Sequence, residues 1–199
     1  MQKIVILASL DFTLAFKLKK TMLYNFNFEH LSPNHISILK YNIIFCSIGE
    51  KKKINHPNII ELDPSYSEFQ LKTKIIQALN SNLHQSEGFI GIDPGNAIGV
   101  CVLLNQVILE TTVFYSKEKL ISWIRSKLVQ LNGINTNIKI GDGGGKNQEH
   151  IITLLKNSLP DRVKIEIIDE KNTSQKITSH LTSHEQAAIR IAKRKGYLI

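Results

Sequence analysis

A chain of 199 residues with 42% hydrophobic side chains can bury real cores, as one large domain or two small ones. Two cysteines, Cys46 and Cys101, exclude a disulfide framework and a paired-cysteine zinc site, and no apolar run approaches the roughly 18 residues of a membrane helix. The net charge of +8 favours an anionic partner and is not one tail: residues 1–85 hold 10 basic and 6 acidic side chains, the remainder 15 and 11.

The first 85 residues read as a small α/β domain. Lys3–Ala8 is a buried strand, 12–24 carries apolar residues at helical spacing, and Tyr41–Cys46 and Asn58–Leu62 are two further strands. Ser67–Leu79 is a helix with Phe69, Leu71, Ile75, Ile76 and Leu79 on one side. The order strand, helix, strand, strand, helix predicts a Rossmann-like or receiver-like sheet. No glycine-rich phosphate loop follows the first strand. Asp11 and Asp63 read as solvated turn acids, and Lys51-Lys52-Lys53 as an exposed turn, with nucleic-acid contact as the lesser option. Asp11 interrupts the first apolar stretch after Ser9, so a signal-peptide layout is missing and a soluble cytoplasmic protein is expected. Both cysteines sit in strand-like runs and should be buried thiols.

Asn80–Glu87 is polar and aperiodic and is taken as the boundary, with a second domain over 86–199. Phe89, Ile90 and Ile92 alternate up to Asp93-Pro94-Gly95, Ile98–Leu104 resumes, and Asn105-Gln106 leads into Val107–Leu109. This predicts a three-stranded antiparallel meander with a carboxylate where its first strand ends. An isolated Asp-Pro-Gly is also a common turn opener. Ser116–Leu131 is an amphipathic helix, and Asn137–Ile140 a strand running into Gly141-Asp142-Gly143-Gly144-Gly145. Asn147–Asn157 is a helix, Val163–Ile168 a strand ending in Asp169-Glu170, and Ser183–Lys195 a final helix packing through Ala187, Ala188, Ile191 and Ala192.

If the first, fourth and fifth strands of this domain lie parallel and adjacent, their ends bring Asp93, Asp142 and Glu170 to one edge. His184 or Glu185 would join them from the last helix. Such hard oxygen and nitrogen donors suit Mg2+ or Mn2+ and are what two-metal phosphodiester hydrolysis needs. Helix caps and turn acids are the structural alternative for the same residues. The glycine run and Lys146 could cradle a phosphate at a helix start, or simply permit a tight turn.

Ile90-Gly91-Ile92-Asp93-Pro94-Gly95 followed by Gly99, then Ile168-Asp169-Glu170-Lys171-Asn172-Thr173, then Ser183–Ala192, resembles the RNase H-like superfamily in its RuvC and YqgF branch. The resemblance covers roughly 88–199. It implies an RNase H-like domain, metal binding by Asp93, and Glu170 as the glutamate of the second motif. His184 falls where the closing helix usually opens with an aspartate, Glu185 stands beside it, and Asp142 corresponds loosely to a further acid. The expected activity is a Mg2+- or Mn2+-dependent nuclease acting on DNA or structured RNA. Its phosphate contacts would come from Lys146, Lys171, Arg190, Lys193, Arg194 and Lys195. Resolution of a four-way junction would require a homodimer with two active sites. Two departures, His184-Glu185 for the aspartate and Lys171 for an arginine, leave open a module that binds nucleic acid or protein without cutting. The glycine run also resembles the phosphate loop of sugar kinases and actin-like ATPases, which need two such domains where this chain has room for one.

Overall fold

A computed structural model describes residues 4–22, 26–80, 86–170 and 181–199. The chain is α/β and forms two compact units, residues 1–82 and 83–199.

In the first unit, β1 (Ile4–Ala8), α1 (Phe12–Met22), β2 (Asn27–Leu31), β3 (Ile44–Ser47), β4 (Ile59–Leu62) and α2 (Glu68–Leu79) follow one another. The sheet has the order β2-β1-β3-β4 and is parallel throughout. Val5 to Ala8 and all of β3 are buried, as expected of a parallel strand covered on both faces. One face of β1 and β3 packs Ile6, Ala8, Ile44 and Cys46 against Ile38 and Ile54 of the loops. The sequence reading lacked β2. Its residues, Asn27-Phe28-Glu29-His30-Leu31, are mostly polar because the strand is a partly exposed sheet edge. α2 begins with a capping box between Ser67 and Gln70, which satisfies two backbone donors that the helix itself cannot.

The second unit contains β5 (Glu87–Pro94), β6 (Ile98–Leu104), β7 (Val107–Phe114), α3 (Lys117–Gln130), β8 (Asn135–Gly141), α4 (Gly145–Ser158), β9 (Ile165–Ile168), α5 (Ser183–Lys193) and β10 (Tyr197–Leu198). Its sheet has the order β10-β9-β8-β5-β6-β7. β5, β6 and β7 form an antiparallel meander, while β8 is parallel to β5 and β9 to β8. Asn105 and Gln106, at φ 48° and 69°, make the tight turn between β6 and β7. Positive φ at both turn residues matches the strand twist, and asparagine tolerates it well. β10, absent from the sequence reading, pairs antiparallel with β9 and is too short to carry a periodic signal.

α5 fixes the geometry of this unit. It crosses the sheet from β7 and β6 over β5 toward β8, burying Ala188, Ile189, Ile191 and Ala192. Each isoleucine contributes about 2 kcal/mol of apolar burial. Two glycines let the helix approach so closely. A Cβ on Gly91 would stand 2.2 Å from the Ala188 carbonyl oxygen, and one on Gly99 2.1 Å from that of His184. The small face of the helix and the two bare strand positions are therefore complementary. Cys46 and Cys101 are free and buried; burial pushes the Cys46 thiol up to about 11 and Cys101 further still.

Candidate functional site

The parallel strands β5, β8 and β9 end at one edge of the second sheet. Asp93 is the penultimate residue of β5 and pairs with Gly99, so the β5 strand continues through Pro94 instead of ending at Ile92. Proline is tolerated there because it is the last residue of the strand. β8 stops at Gly141, and Asp142 opens a short 3-10 turn, Asp142–Gly144, that feeds α4. Glu170 lies two residues beyond β9. His184 is the second residue of α5.

Hydrogen bonds join these four in two pairs, Asp93 with His184 and Asp142 with Glu170. His184 Nδ1 lies 3.1 Å from Asp93 Oδ2. A carboxylate can only accept, so in the neutral ring the proton sits on Nδ1 and Nε2 is the acceptor. The Glu170 amide donates to Asp142 Oδ1 at 3.1 Å, and the Gly143 amide donates to Glu170 Oε1 at 3.3 Å. Gly141 makes room for the glutamate: a Cβ there would lie 1.8 Å from Glu170 Oε1. Burial raises the Glu170 carboxyl above the usual range, and the charges of Asp93 and Asp142 add to this. The Gly143 amide and the Arg190 guanidinium oppose it.

Glu185 points elsewhere. It completes a capping box with Thr182, accepting from the Thr182 amide at 3.0 Å and hydroxyl at 2.9 Å, and its other oxygen accepts from Thr111 Oγ1 on β7 at 2.8 Å. Although burial would raise its carboxyl, these bonds hold it below the ordinary value. Its position fastens α5 to β7.

The basic candidates separate as well. The charge of Arg190 acts on Glu170, and Arg194 Nη1 donates to the Asp169 carbonyl at 2.7 Å, so both arginines serve the β9 end of the acidic edge. Lys146 is exposed in the first turn of α4, and Lys193 and Lys195 are exposed around the end of α5. Asn147 Nδ2 donates to Asn96 Oδ1 at 3.3 Å, linking that first turn to the β5–β6 turn. Lys171 lies outside the described residues.

Sequence reasoning passed over Lys139. It is buried, its Nζ stands 4.0 Å from the centroid of Phe89, and it donates to the Arg194 carbonyl at 2.5 Å. Burial depresses its pKa, while Glu166 and Glu87 oppose the shift. It neutralises the carboxyl end of α5, and a lysine inside an apolar strand was the available signal.

Three carboxylates and an imidazole are donor types that suit a hard divalent cation, and such an ion would offset the burial and the neighbouring negative charges that raise Glu170. The donor chemistry therefore fits. The fit is one of donor type and not of placement: among the described residues no group of three or more histidines, cysteines, aspartates or glutamates is arranged to hold a metal ion, and Asp93, Asp142 and Glu170 each engage a protein partner.

No protein-family model matches this chain, and neither does any curated protein sequence. Among solved structures, the chain is similar to "Aa-Ago with externally-bound siRNA" at 10% identity and a TM-score of 0.30, over 84% of this chain and 35% of that one. The chain thus spans about a third of the length of that neighbour.

Proposed function

We propose that residues 83–199 form an RNase H-like nuclease unit that hydrolyses phosphodiester bonds in DNA or structured RNA with Mg2+ or Mn2+. One observation carries the proposal: β8 is parallel to β5 and β9 to β8, so that Asp93, Asp142 and Glu170 all lie at or just beyond the same ends of three adjacent strands. The antiparallel meander followed by two parallel strands, with α5 across the sheet, supports the fold assignment. Asp93, Asp142, Glu170 and His184 are the donors that would have to draw together to hold the ion, which when bound would stabilise charge on the phosphate and lower the pKa of water. The chain's own contribution is positional. The Gly143 amide sets the Glu170 carboxylate, the Glu170 amide sets Asp142, and Asp93 fixes the His184 ring. Arg190 and Arg194 bring positive charge to the β9 side, where an anionic substrate would lie.

The test is cleavage of labelled four-way junction, duplex DNA, single-stranded DNA and RNA in Mn2+, with Asp93→Asn alongside. Cleavage that disappears in the variant is expected, and its preferred substrate separates DNA from RNA. A preference for junctions calls for a dimer, which sedimentation would detect.

A second reading is a nucleic-acid-binding unit without catalysis. It is favoured by Glu185, which caps α5, and by His184, which already occupies Asp93. Calorimetry with millimolar Mg2+ or Mn2+ that registers no heat of binding would select it.

A further inference from the structure

The first unit displays two phenylalanines to water. Phe12 and Phe16 are 75% and 74% exposed, and at four residues apart on α1 their rings share one face. The helix buries Leu14, Ala15 and Leu18 on its other side, so these rings are not displaced core residues. Isolated apolar side chains on a surface are ordinary, but two large rings on one helix face form an apolar patch that a partner can cover.

Phe12 is also held in place. Its ring meets His30 edge to face, with centroids 5.5 Å apart and planes at 84°. His30 Nε2 in turn lies 2.9 Å from the carbonyl oxygen of Ser9, just past the end of β1. The ring is thus presented without waiting for a partner to order it, which reduces the entropy lost on binding.

Basic residues occur on the same helix and on a turn tied to its start, although Lys17 donates to the Pro64 and Tyr66 carbonyls and Lys20 lies 3.9 Å from Glu68. α1 contains Lys17, Lys19 and Lys20 and no acidic residue. Lys51, Lys52 and Lys53 form an exposed 3-10 turn after β3. The residue before that turn, Glu50, is buried and accepts hydrogen bonds from Ser9 Oγ at 2.5 Å and the Leu10 amide at 2.9 Å. The lysine turn is therefore fastened to the loop that leads into Phe12. Nearby acids are engaged within the loops: Asp11 accepts from the Leu14 amide and Ser47 Oγ, and Glu61 from the Gly49 amide.

Exposed rings beside lysines are the combination that holds single strands, with bases stacked on the rings and phosphates met by the ammonium groups. We propose that Phe12, Phe16 and His30, with Lys51, Lys52 and Lys53, form a binding face for single-stranded nucleic acid. This deepens the nuclease reading by giving the first unit a strand-holding role, and it does not require the second unit to cut. A protein partner would use the rings without needing the lysine turn, and an anionic membrane would use both without stacking.

The experiment is fluorescence anisotropy of labelled oligo-dT and oligo-rU with the full chain in EDTA. Phe12→Ala, Phe16→Ala and the triple variant Lys51→Glu/Lys52→Glu/Lys53→Glu are compared with the unaltered protein. Each phenylalanine variant should bind about tenfold more weakly, the loss expected for one stacked base. The triple lysine variant should bind more weakly with a shallower salt dependence. Oligonucleotide binding by the unaltered protein in EDTA, with no cleavage in Mn2+, would retain this face while removing the nuclease reading. Circular dichroism melts verify that the variants fold. No oligonucleotide binding, binding unaltered in both phenylalanine variants, or phenylalanine-dependent binding to phosphatidylserine vesicles alone would each overturn the proposal.

Discussion

The imidazole of His184 meets the carboxylate of Asp93 at 3.1 Å, joining the first turn of α5 to the end of β5. Both residues are partly shielded, with side chains 42% and 18% exposed, so solvent screens the contact only in part. Residues in direct contact are energetically coupled by about 0.5–3 kcal/mol. A double-mutant cycle with His184→Ala and Asp93→Asn, read by urea unfolding, should therefore be non-additive within that range. Additive effects would mean that the contact is not maintained in solution.

Asp93→Asn keeps the shape of the strand end and removes its charge. Cleavage in Mn2+ should fall at least about 100-fold, a loss far larger than the modest destabilisation expected from weakening the His184 contact. An unaltered rate would remove Asp93 from the reaction.

Glu170 sets the sign of a pH effect. Its carboxyl binds the proton more tightly in the folded protein than in the unfolded chain, through burial and through Asp93 and Asp142. Ionising it therefore costs stability as pH rises from the ordinary glutamate range through its own raised value. Below that range the cost is absent. In chelator-treated protein, Glu170→Gln should melt higher than the parent at about pH 7 and level with it at about pH 3. A variant that melts lower at neutral pH would show that the Gly143 bond outweighs the repulsion.

Gly91 has no spare space above it. A methyl group there would lie 2.7 Å from the Ala192 Cβ as well as against the Ala188 carbonyl. Gly91→Ala should cost about 1–3 kcal/mol or more, because α5 must lift from the sheet. The displaced helix would carry His184 with it, so chemical shifts at Asp93 should move too. A stability equal to the parent would contradict the close packing.

Thr182 and Glu185 cap α5 reciprocally. Thr182→Ala should cost about 1 kcal/mol, as loss of an N-cap does. Glu185→Gln keeps one oxygen to accept from the Thr182 cap and turns its NH2 to donate to Thr111 Oγ1, and should leave any metal affinity unchanged in calorimetry. Lost affinity would return Glu185 to the ion-binding set.

Hydrophobic periodicity by itself located most helices and strands of both units, because each buried face repeats every two or about 3.6 residues. The strand ends carrying Asp93, Asp142 and Glu170 were legible for the same reason: an apolar run that stops at an acid marks a sheet edge. β2 and β10 were not, since one is a polar edge strand and the other is two residues long. Neither was the division of labour between neighbours. His184 and Glu185 are adjacent in the chain, yet one faces Asp93 and the other Thr111, because successive helical residues point about 100° apart and only the placement of α5 on Gly91 and Gly99 decides which direction meets which strand. The exposure of Phe12 and Phe16 was likewise hidden, since an aromatic at helical spacing looks the same whether its face is covered or bare. Sequence determines which residues can share a face, and the tertiary packing decides what that face meets.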